Sequence, residues 1–262
     1  MVSILLVIYK SERRLLNSFI RRINGKFNLI IIDNSGNYDF SKIALPKKAK
    51  IIRSSNKGYG AALNLGLKYC KTKYAIISNI DVIFKKNFVL DFLLIAKRVK
   101  KFAILIPNHK NKNYRSELIE NYEGEGATML VNVKKINKLK FDENFFLYYE
   151  DTDLVKRFLD KKQNIYQVPI NYSNFFGSHN KLFSTTIEIN RNWHYMWSKF
   201  YYRRKHFGYL YALISTLPYF IRSLLKLIIN VNKIEEKNKY FARLSGLYNS
   251  YILKKSWYRP KI

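Results

Sequence analysis

Short apolar runs alternate with amphipathic stretches along the first hundred residues of the chain. The runs are rich in β-branched residues and nearly free of charge, which is typical of strands buried on both faces of a sheet. Between them, apolar residues recur every three or four positions, as in a helix with one buried face. The predicted strands are Val2–Tyr9, Leu29–Ile32, Lys50–Arg53, Tyr74–Ser78 and Phe102–Pro107, and the predicted helices are Glu12–Ile23, Ala61–Tyr69 and Phe88–Val99. This alternation predicts an α/β fold with a mostly parallel sheet and helices on both faces.

The pattern is less regular in the second half. Asn108–Gly126 is polar and predicts a long loop. Two further strands are predicted at Ala127–Asn132 and Ile165–Val168, and two basic, aromatic helices at Ile189–Arg204 and Lys233–Lys255. We therefore expect a sheet domain over 1–187 and a helical, basic and apolar extension over 188–262.

The most apolar segment of the extension is Phe207–Ile229. Its charge-free part, Phe207–Ile221, has 15 residues and contains Pro218, whereas a helix needs about 20 apolar residues to span a bilayer. We interpret the segment as an interfacial helical hairpin or a dimer contact, with a transmembrane span as the less favoured alternative. Lys233–Lys255 is a basic amphipathic helix, which favours either docking on an anionic membrane or packing on the sheet domain with solvated lysines.

Composition adds a strong charge imbalance to this picture. The 262 residues include 48 Lys and Arg against 18 Asp and Glu, a formal charge of +30. Apolar residues make up 48%, which excludes a disordered polycation. The surplus of positive charge indicates an anionic partner, which is nucleic acid, an acidic membrane surface or a phosphorylated substrate. The single cysteine, Cys70, excludes an intrachain disulfide framework and fits a reducing compartment.

One acidic segment stands out in this basic chain. Phe141–Leu154, FDENFFLYYEDTDL, holds five of the 18 acidic residues. Carboxylates at such short spacing repel one another unless a cation, a hydrogen-bond donor or a bound substrate offsets them. The following residues have a helical pattern, so Glu150 and Asp151 fall near a helix N-terminus, where negative charge is favoured. Two interpretations remain open at this point: the acidic first turn of a surface helix, or a general base beside a substrate pocket.

Polar residues also follow several of the predicted strands. Asp33 ends one strand, Asn56 and Gly58 follow the next, and Asn79 and Asp81 follow the fourth. Ligands of parallel sheets bind beyond the carboxyl ends of the strands. A carboxylate at Asp33 can accept hydrogen bonds from a nucleotide, Gly58 permits close approach of a ligand to the backbone, and the oxygen atoms of Asn79 and Asp81 suit Mg²⁺ or Mn²⁺.

Taken together, these stretches resemble family 2 glycosyltransferases of the GT-A fold, especially the rhamnosyltransferase-like branch. The matching pieces occur in the family's order and are VSILLVIYKSE, IIIDNSG, NKGYGAALNLG, ISNIDV, GEGATMLV, FDENFFLYYEDTDLVKR and GSH. The resemblance covers Val2 to about His179, and FDENFFLYYEDTDL is its most specific part.

The resemblance implies roles for individual residues. Donor nucleotide binding would fall to Tyr9, Asp33, Asn56, Gly58 and Asn79. Asp81 would hold the divalent ion, Mg²⁺ or Mn²⁺, on the donor diphosphate, and His179 would be an additional metal ligand. Asn79 replaces the first Asp of the metal motif and Ile80 stands where Pro is usual.

The acidic segment would supply the catalytic base. Asp151 is the implied general base, Glu150 is the competing assignment, and Asp153 would support the helix start. Family members of this kind invert the anomeric centre, so the base deprotonates an acceptor hydroxyl while a cation stabilises the departing diphosphate.

The function implied is transfer of a sugar, with rhamnose as one candidate, from a nucleotide-diphosphate sugar to a saccharide or lipid-linked acceptor in cell-surface polysaccharide biosynthesis. UDP-galactofuranose, UDP-glucose and UDP-GlcNAc remain alternative donors. The expected location is cytoplasmic, peripheral to the inner face of the cell membrane, with a homodimer through the C-terminal helices as a further expectation. From a different class, a non-enzymatic basic protein that binds nucleic acid or membrane is the alternative. Because no nucleic-acid-binding motif is visible and the acidic segment would be out of place there, we expect no nucleic-acid partner.

Overall fold

The computed structural model describes residues 2–23, 27–84, 87–107, 117–118, 126–170, 172–174 and 184–259. The chain divides into two compact units. The sheet unit comprises Met1–Asp142 and Asp151–His179, and the helical unit comprises Glu143–Glu150 and Asn180–Ile262. The domain boundary expected between residues 187 and 188 stays a prediction.

The sheet unit contains the alternating strands and helices that the sequence predicts. Its strands are β1 (Val2–Ile8), β2 (Asn28–Asp33), β3 (Lys50–Arg53), β4 (Tyr74–Ser78), β5 (Val82–Phe84), β6 (Ile104–Pro107), β7 (Glu117–Leu118), β8 (Thr128–Asn132), β9 (Ile165–Val168) and β10 (Tyr172–Asn174). Its helices are α1 (Arg13–Ile23), α2 (Tyr59–Lys68), α3 (Phe88–Val99) and α4 (Val133–Leu139), and α5 (Glu150–Asp160) begins at the last residue of the segment assigned to the helical unit.

The main sheet of the described residues has the strand order β3-β2-β1-β4-β8-β6-β9-β7. Strands β1 to β4 pair in parallel, whereas β8 runs antiparallel to β4 and to β6. The expectation of a mostly parallel sheet is thus confirmed, with β8 as an antiparallel strand inside it and β7 as an antiparallel strand at its edge beside β9. Strands β5 and β10 form a separate antiparallel pair.

Helices cover both faces of this sheet, as predicted. Alternate residues of β1 point to opposite faces, so Ile4 and Leu6 join one buried cluster and Leu5 joins the other. The first cluster receives the apolar faces of α1 and α3, and the second receives those of α2, α4 and α5. Because β1 is buried along its whole length, its continuous apolar run is explained by the two helical layers.

The strand directions bring the candidate residues to one edge of the sheet. The carboxyl ends of β1, β2, β3 and β4 all lie at this edge, because these strands are parallel. The antiparallel strand β8 begins there, since Thr128 at its start pairs with Ser78 at the end of β4. The turns after β2 and β4 and the residues before β8 therefore meet at the same edge.

The helical unit is built from α6 (Ser184–Phe207), α7 (Tyr209–Ile229) and α8 (Ile234–Tyr251). Its core includes Phe200 from α6, Ala212 from α7 and Leu247 from α8. In the part of the chain that the structure describes, α7 is the one helix long and apolar enough to cross a membrane by length and composition.

The hairpin expected within Phe207–Ile229 is wrong, because α7 continues through Pro218 as a single helix. Proline lacks an N–H group and removes one backbone hydrogen bond from the helix. The Arg203 side chain donates a hydrogen bond to the backbone oxygen of Ser215 at 2.7 Å. This side-chain donor satisfies a backbone acceptor in the turn that the proline weakens.

Candidate active site at the carboxyl edge of the sheet

Asp33 lies at the end of β2 and is fully buried. One of its carboxylate oxygens accepts hydrogen bonds from the backbone N–H groups of Ser35 at 2.9 Å and Gly36 at 3.2 Å. The other accepts from the N–H of Tyr38 at 2.9 Å. Asp33 therefore holds the turn after β2 in shape, and the second oxygen keeps one acceptor position. Its predicted contact with a donor nucleoside stays a prediction.

Asn34, which the sequence analysis missed, ties this turn to the loop before α2. Its side-chain N–H group donates to the Asn56 side-chain oxygen at 3.3 Å and to the backbone oxygen of Gly58 at 3.4 Å. The same Asn56 oxygen accepts from the N–H of Gly58 at 3.2 Å. Gly58 is buried with φ +109°, a conformation that L side chains rarely adopt. The predicted residues Asn56 and Gly58 thus share one hydrogen-bonded loop, and the nearby Tyr9 is exposed just beyond β1.

Asn79 and Asp81 directly follow β4, as the sequence predicts, and occupy the turn between β4 and β5. The Tyr59 hydroxyl, at the start of α2, donates to the Asn79 side-chain oxygen at 2.9 Å. The Asn79 backbone N–H donates to the backbone oxygen of Ala127 at 2.8 Å. Asn79 is therefore fixed by α2 and by the residue that precedes β8, while Asp81 is half-buried two residues further on.

Asp151 is connected to this turn through Gly126. The Gly126 backbone N–H donates to one Asp151 carboxylate oxygen at 2.6 Å, and the neighbouring residue Ala127 is the acceptor for Asn79. The Thr152 backbone N–H donates to the other Asp151 oxygen at 2.8 Å. The side chain of Asp151 is thus anchored one residue away from the contact that fixes Asn79. The structure brings Asp151 and the Asn79–Asp81 turn to the same edge.

Any side chain at position 126 would crowd Asp151 and Met129 and force them to shift. A Cβ atom on Gly126 would overlap the Asp151 Oδ2 atom and would lie 2.8 Å from the Met129 Cε atom. The absence of a side chain therefore lets the backbone N–H group reach the carboxylate.

Burial raises the pKa of Asp151 above the usual value of an aspartate, and the hydrogen bonds from Thr152 and Gly126 oppose this shift. A carboxylate whose pKa is raised toward the working pH is a stronger base than an exposed aspartate. At the same time, the two backbone N–H groups fix its orientation. The environment of Asp151 suits proton abstraction from a neighbouring hydroxyl.

Arg157, which the sequence analysis did not single out, supports the Asp151 region through Asp153. Asp153 is fully buried, and the Arg157 Nε atom lies 2.7 Å from one of its oxygens. The Arg157 guanidinium also donates to the backbone oxygens of Leu139 and Lys140 at 3.0 and 2.8 Å. This arrangement ties α5 to the end of α4, which agrees with the supporting role predicted for Asp153.

A second link starts at Asn64 in α2. Its side chain donates to the backbone oxygen of Phe141 and accepts from the Phe141 N–H, both at 2.9 Å. The two bonds fix the start of the acidic segment against α2. The signal in the sequence is a polar residue on the otherwise apolar face of NKGYGAALNLG.

Within the helical unit, aromatic residues of the acidic segment pack on α6. Phe145 lies edge-on to Tyr201 with the ring centres 4.8 Å apart, and Phe146 lies 4.6 Å from the ring of His194. Tyr148 and Tyr149 both have positive φ angles, 69° and 66°. A positive-φ conformation at a residue other than glycine costs on the order of 1–3 kcal/mol, and such conformations concentrate at functional sites.

Glu150, the competing candidate for the base, directly follows this strained pair and is buried as the first residue of α5.

The residues at this edge fit a divalent cation that is held mainly by the phosphates of a bound substrate. Among the described residues, no three His, Cys, Asp or Glu side chains lie close enough together to hold a metal ion. Mg²⁺ commonly binds one or two carboxylates together with substrate phosphates, and Asp81 with Asn79 offers such an all-oxygen set. The predicted ligand His179 lies outside the described residues.

Comparisons with known proteins agree with this architecture. The family model for glycosyl transferase family 2 matches residues 3–163, and no curated protein has a significant match to the chain. A mannosyltransferase, PcManGT from Pyrobaculum calidifontis, in complex with GDP-Man and Mn²⁺, has a TM-score of 0.61 at 10% identity over 97% of this chain and 88% of that one.

A second solved structure, S. aureus TarS 1-349, has a TM-score of 0.52 at 12% identity over 98% of this chain and 93% of that one. Because both identities are low, these two structures show the fold alone. The family model covers more than half of the sequence, and the candidate site lies within its span. The chain therefore belongs to glycosyl transferase family 2 and is a glycosyltransferase with a GT-A-like fold.

Proposed function

We propose that this enzyme transfers a sugar, with inversion at the anomeric carbon, from a nucleotide-diphosphate sugar to a hydroxyl group of a saccharide or lipid-linked acceptor. Asp151 is the general base in this proposal. The observation that carries it is the anchoring of the Asp151 carboxylate by Gly126, next to the contact between Ala127 and the Asn79–Asp81 turn. Asp151 is preferred over Glu150 as the base, because its carboxylate is held by the Gly126 N–H group, one residue from the backbone contact of Asn79.

The reaction is a single displacement at the sugar C1 atom. The acceptor oxygen attacks C1, the bond between C1 and the diphosphate oxygen breaks, and Asp151 takes the proton of the acceptor hydroxyl. No covalent intermediate is required for inversion. The diphosphate leaves with its bonding electrons and carries additional negative charge.

A divalent cation, Mg²⁺ or Mn²⁺, when bound, stabilises the charge on the departing diphosphate. Asp81 is the carboxylate that would hold it, with the oxygen of Asn79 as a neighbour. Asp33, Asn56, Gly58, Asn79 and Tyr9 would bind the donor nucleotide, since they follow the parallel strands at whose ends such ligands bind. The mannosyltransferase with GDP-Man and Mn²⁺ supports this general type of donor and cation.

The proposal extends to the donor sugar and the pathway. The match to the rhamnosyltransferase-like branch in the sequence motifs favours a rhamnose donor, with UDP-galactofuranose, UDP-glucose and UDP-GlcNAc as alternatives. A lipid-linked acceptor at the cytoplasmic membrane, in cell-surface polysaccharide biosynthesis, agrees with the net charge of +30.

A ligand screen tests the proposed reaction. The full chain is heated with each nucleotide sugar, with and without Mn²⁺, and its melting temperature is recorded. At 100 times the dissociation constant, a ligand stabilises the folded state by about 2.7 kcal/mol, so one donor class should raise the melting temperature clearly and in a Mn²⁺-dependent way. That donor is then offered with saccharide acceptors, and the anomer of the product is read by NMR. Absence of stabilisation by any nucleotide sugar or nucleoside diphosphate contradicts the proposal, and a product with retained configuration contradicts the inverting mechanism.

The role of Asp81 is tested by Asp81→Asn. We expect this variant to need at least tenfold more Mn²⁺ for half-maximal activity, because the cation loses its anionic protein ligand. An unchanged Mn²⁺ requirement contradicts the assignment. Asp91→Asn, in the first turn of α3, is the matched control and should leave the requirement unchanged.

A further inference from the structure

Helix α7 exposes a continuous apolar face to solvent. Its exposed residues recur at intervals of three, four or seven positions and so lie on one side of the helix. We call this set the α7 stripe, and it consists of Leu210, Ile214, Leu217, Ile221, Leu224 and Ile228. Their exposed fractions lie between 43% and 68%. Exposed apolar patches of this kind mark interaction surfaces in soluble proteins.

The opposite side of α7 is already covered within the helical unit. Ala212, Thr216 and Ser223 are buried there. The Thr216 hydroxyl lies 3.1 Å from the Tyr251 hydroxyl of α8, and the Tyr209 hydroxyl donates to the Tyr251 backbone oxygen at 3.1 Å. Small and hydroxylated residues, together with Leu213 and Phe220, thus face the neighbouring helices, whereas the six residues of the stripe face outward. The stripe is therefore not the face by which α7 packs on α6 or α8.

The charged residues within α7 are basic, and two glutamates, Glu235 and Glu236, follow at the start of α8. Helix α7 contains no Asp or Glu, and Arg222 and Lys226 are its charged residues. Beyond the helix, the exposed residues Val231 and Ile234 flank Lys233. Aliphatic residues interspersed with lysine and arginine are complementary to a surface that is both apolar and anionic.

We propose that the α7 stripe docks on an anionic lipid surface, with the axis of α7 parallel to the membrane plane. This inference goes beyond the transfer reaction, because it concerns where the enzyme works. An in-plane orientation follows from the contacts of the covered side. Lys199 and Arg203 of α6 lie against Tyr219 of α7, with Lys199 Nζ 4.0 Å from the ring centre. A helix that crossed the bilayer would carry these charges into the hydrocarbon, where charged side chains are strongly disfavoured.

A second copy of the chain is a less suitable occupant. Self-association through the stripe would bring together two copies of a protein of formal charge +30. Like charges across an interface oppose association. An anionic lipid surface suits both the aliphatic residues of the stripe and the net positive charge of the chain.

The first test measures binding of the full chain to vesicles. Wild type should sediment with phosphatidylglycerol-containing vesicles and bind pure phosphatidylcholine at least tenfold more weakly. The triple variant Ile214→Ser/Leu217→Ser/Ile221→Ser should lose at least tenfold in affinity for the anionic vesicles. The matched control is Leu90→Ser/Leu94→Ser, which changes two aliphatic residues of α3 with exposed fractions of 55% and 54%, and it should bind like wild type. Equal binding by the triple variant overturns the proposal.

A charge variant and a mass measurement distinguish lipid binding by the stripe from self-association of two copies. Arg222→Gln/Lys226→Gln changes two surface positions and is expected to weaken binding to anionic vesicles several-fold and to lessen its salt dependence. Sedimentation of the free protein should show the same mass for wild type and the triple variant. A dimer that the triple variant dissociates, together with no vesicle binding by wild type, assigns the stripe to self-association and overturns the proposal.

The second test measures how deeply α7 lies in the membrane. In a Cys70→Ser background, single cysteines at Leu210, Leu217 and Ile228 carry spin labels on the vesicle-bound protein. An in-plane helix predicts the same shallow depth for all three labels. A deep label at 217 with 210 and 228 near opposite surfaces shows a membrane-crossing helix and contradicts the orientation. None of these measurements involves turnover, so their failure is distinct from failure of the proposed reaction.

Discussion

The sheet unit and the helical unit place their polar groups in opposite ways. In the sheet unit, apolar strands fill the interior, and polar side chains such as Asp33, Asn79 and Asp151 gather at one edge, each fixed by backbone hydrogen bonds. In the helical unit, hydroxyl groups such as that of Thr216 lie on the covered side of α7, while aliphatic residues face outward. The first arrangement suits chemistry on a polar ligand, and the second suits contact with an apolar surface.

The acidic segment shows this contrast within fourteen residues. Its middle, Glu143–Glu150, belongs to the helical unit, where Phe145 and Phe146 pack on α6. Asp151 and Asp153 belong to the sheet unit, where Gly126 and Arg157 hold their carboxylates. Four predictions test residues of the acidic segment in the sheet unit and the groups that contact either part of the segment.

The largest effect is expected for Asp151→Asn. Loss of a general base typically lowers the rate by 10²–10⁴-fold, so we expect a decrease of about 10³-fold in kcat with the melting temperature kept. Because the pKa of Asp151 is raised, wild-type kcat should fall as the pH drops below that raised value, and this limb should vanish in the variant. The control is Asp160→Asn at the far end of the same helix, which should keep full activity. Near-normal turnover by Asp151→Asn contradicts the assignment.

Next in size is the effect of Arg157→Ala on stability. The variant removes the cation that lies against the fully buried Asp153, and breaking a buried pair costs about 3 kcal/mol. Denaturant unfolding should show this loss. The matched control is Lys156→Ala, which removes the exposed partner of Asp160 one residue earlier and should cost less than about 1 kcal/mol. Equal losses in the two variants would show that the buried pair has no special role.

Gly126→Ala tests positioning of the base. The new methyl group overlaps the Asp151 carboxylate and should displace it, and a displacement of about 1 Å can lower the rate by about 10²-fold. Donor affinity, measured by calorimetry, should not change. The double variant Gly126→Ala/Asp151→Asn should be no slower than Asp151→Asn alone, because both changes act on one group. Additive losses would show that Gly126 acts independently of Asp151.

The smallest effect concerns His194 in the helical unit. Burial lowers the pKa of His194 to about 3, and its ring nitrogens lie 2.9 Å from the Tyr258 backbone oxygen and 3.0 Å from the Ser256 hydroxyl. In the unfolded chain the pKa is about 6.5, so protonation favours unfolding. The stabilisation by neutral His194 is complete above pH 6.5 and is lost as the pH falls toward 3.

At pH 5 this loss amounts to about 2 kcal/mol. Denaturant unfolding followed by tryptophan fluorescence at pH 7 and pH 5 should show wild type losing about 2 kcal/mol more than His194→Gln. Equal losses of unfolding free energy in the two proteins would mean that the folded protein already holds His194 in its protonated form at pH 5.

Much of the sheet unit was predictable from the sequence, because its strands are short apolar runs bounded by polar residues. The bounds predicted for Lys50–Arg53, Tyr74–Ser78 and Phe88–Val99 are those of β3, β4 and α3. Helix α4 was missed, since Val133–Leu139 has only two turns and buries only Val133 and Ile136 among its residues. So short a segment does not show a helical period.

The candidate site was likewise predictable only in part. The motifs pointed to Asp33, Asn79, Asp81 and Asp151, and the structure brings all four to one edge. The groups that hold them were not predictable from local patterns. Asn64 bonds to a residue 77 positions away, and Gly126 contacts Asp151 across 25 positions. Such pairs depend on how β8 returns beside β4, which no short stretch of sequence specifies.

The most direct test of the account is a crystal structure with Mn²⁺ and the nucleoside diphosphate that the ligand screen selects. The anomalous signal of manganese locates the cation without reference to the protein. The account predicts that Mn²⁺ bridges the diphosphate and Asp81, and that the Asp151 carboxylate faces the same cavity across the space left for the sugar. Manganese bound away from Asp81, or an Asp151 that opens onto a different surface, would contradict it.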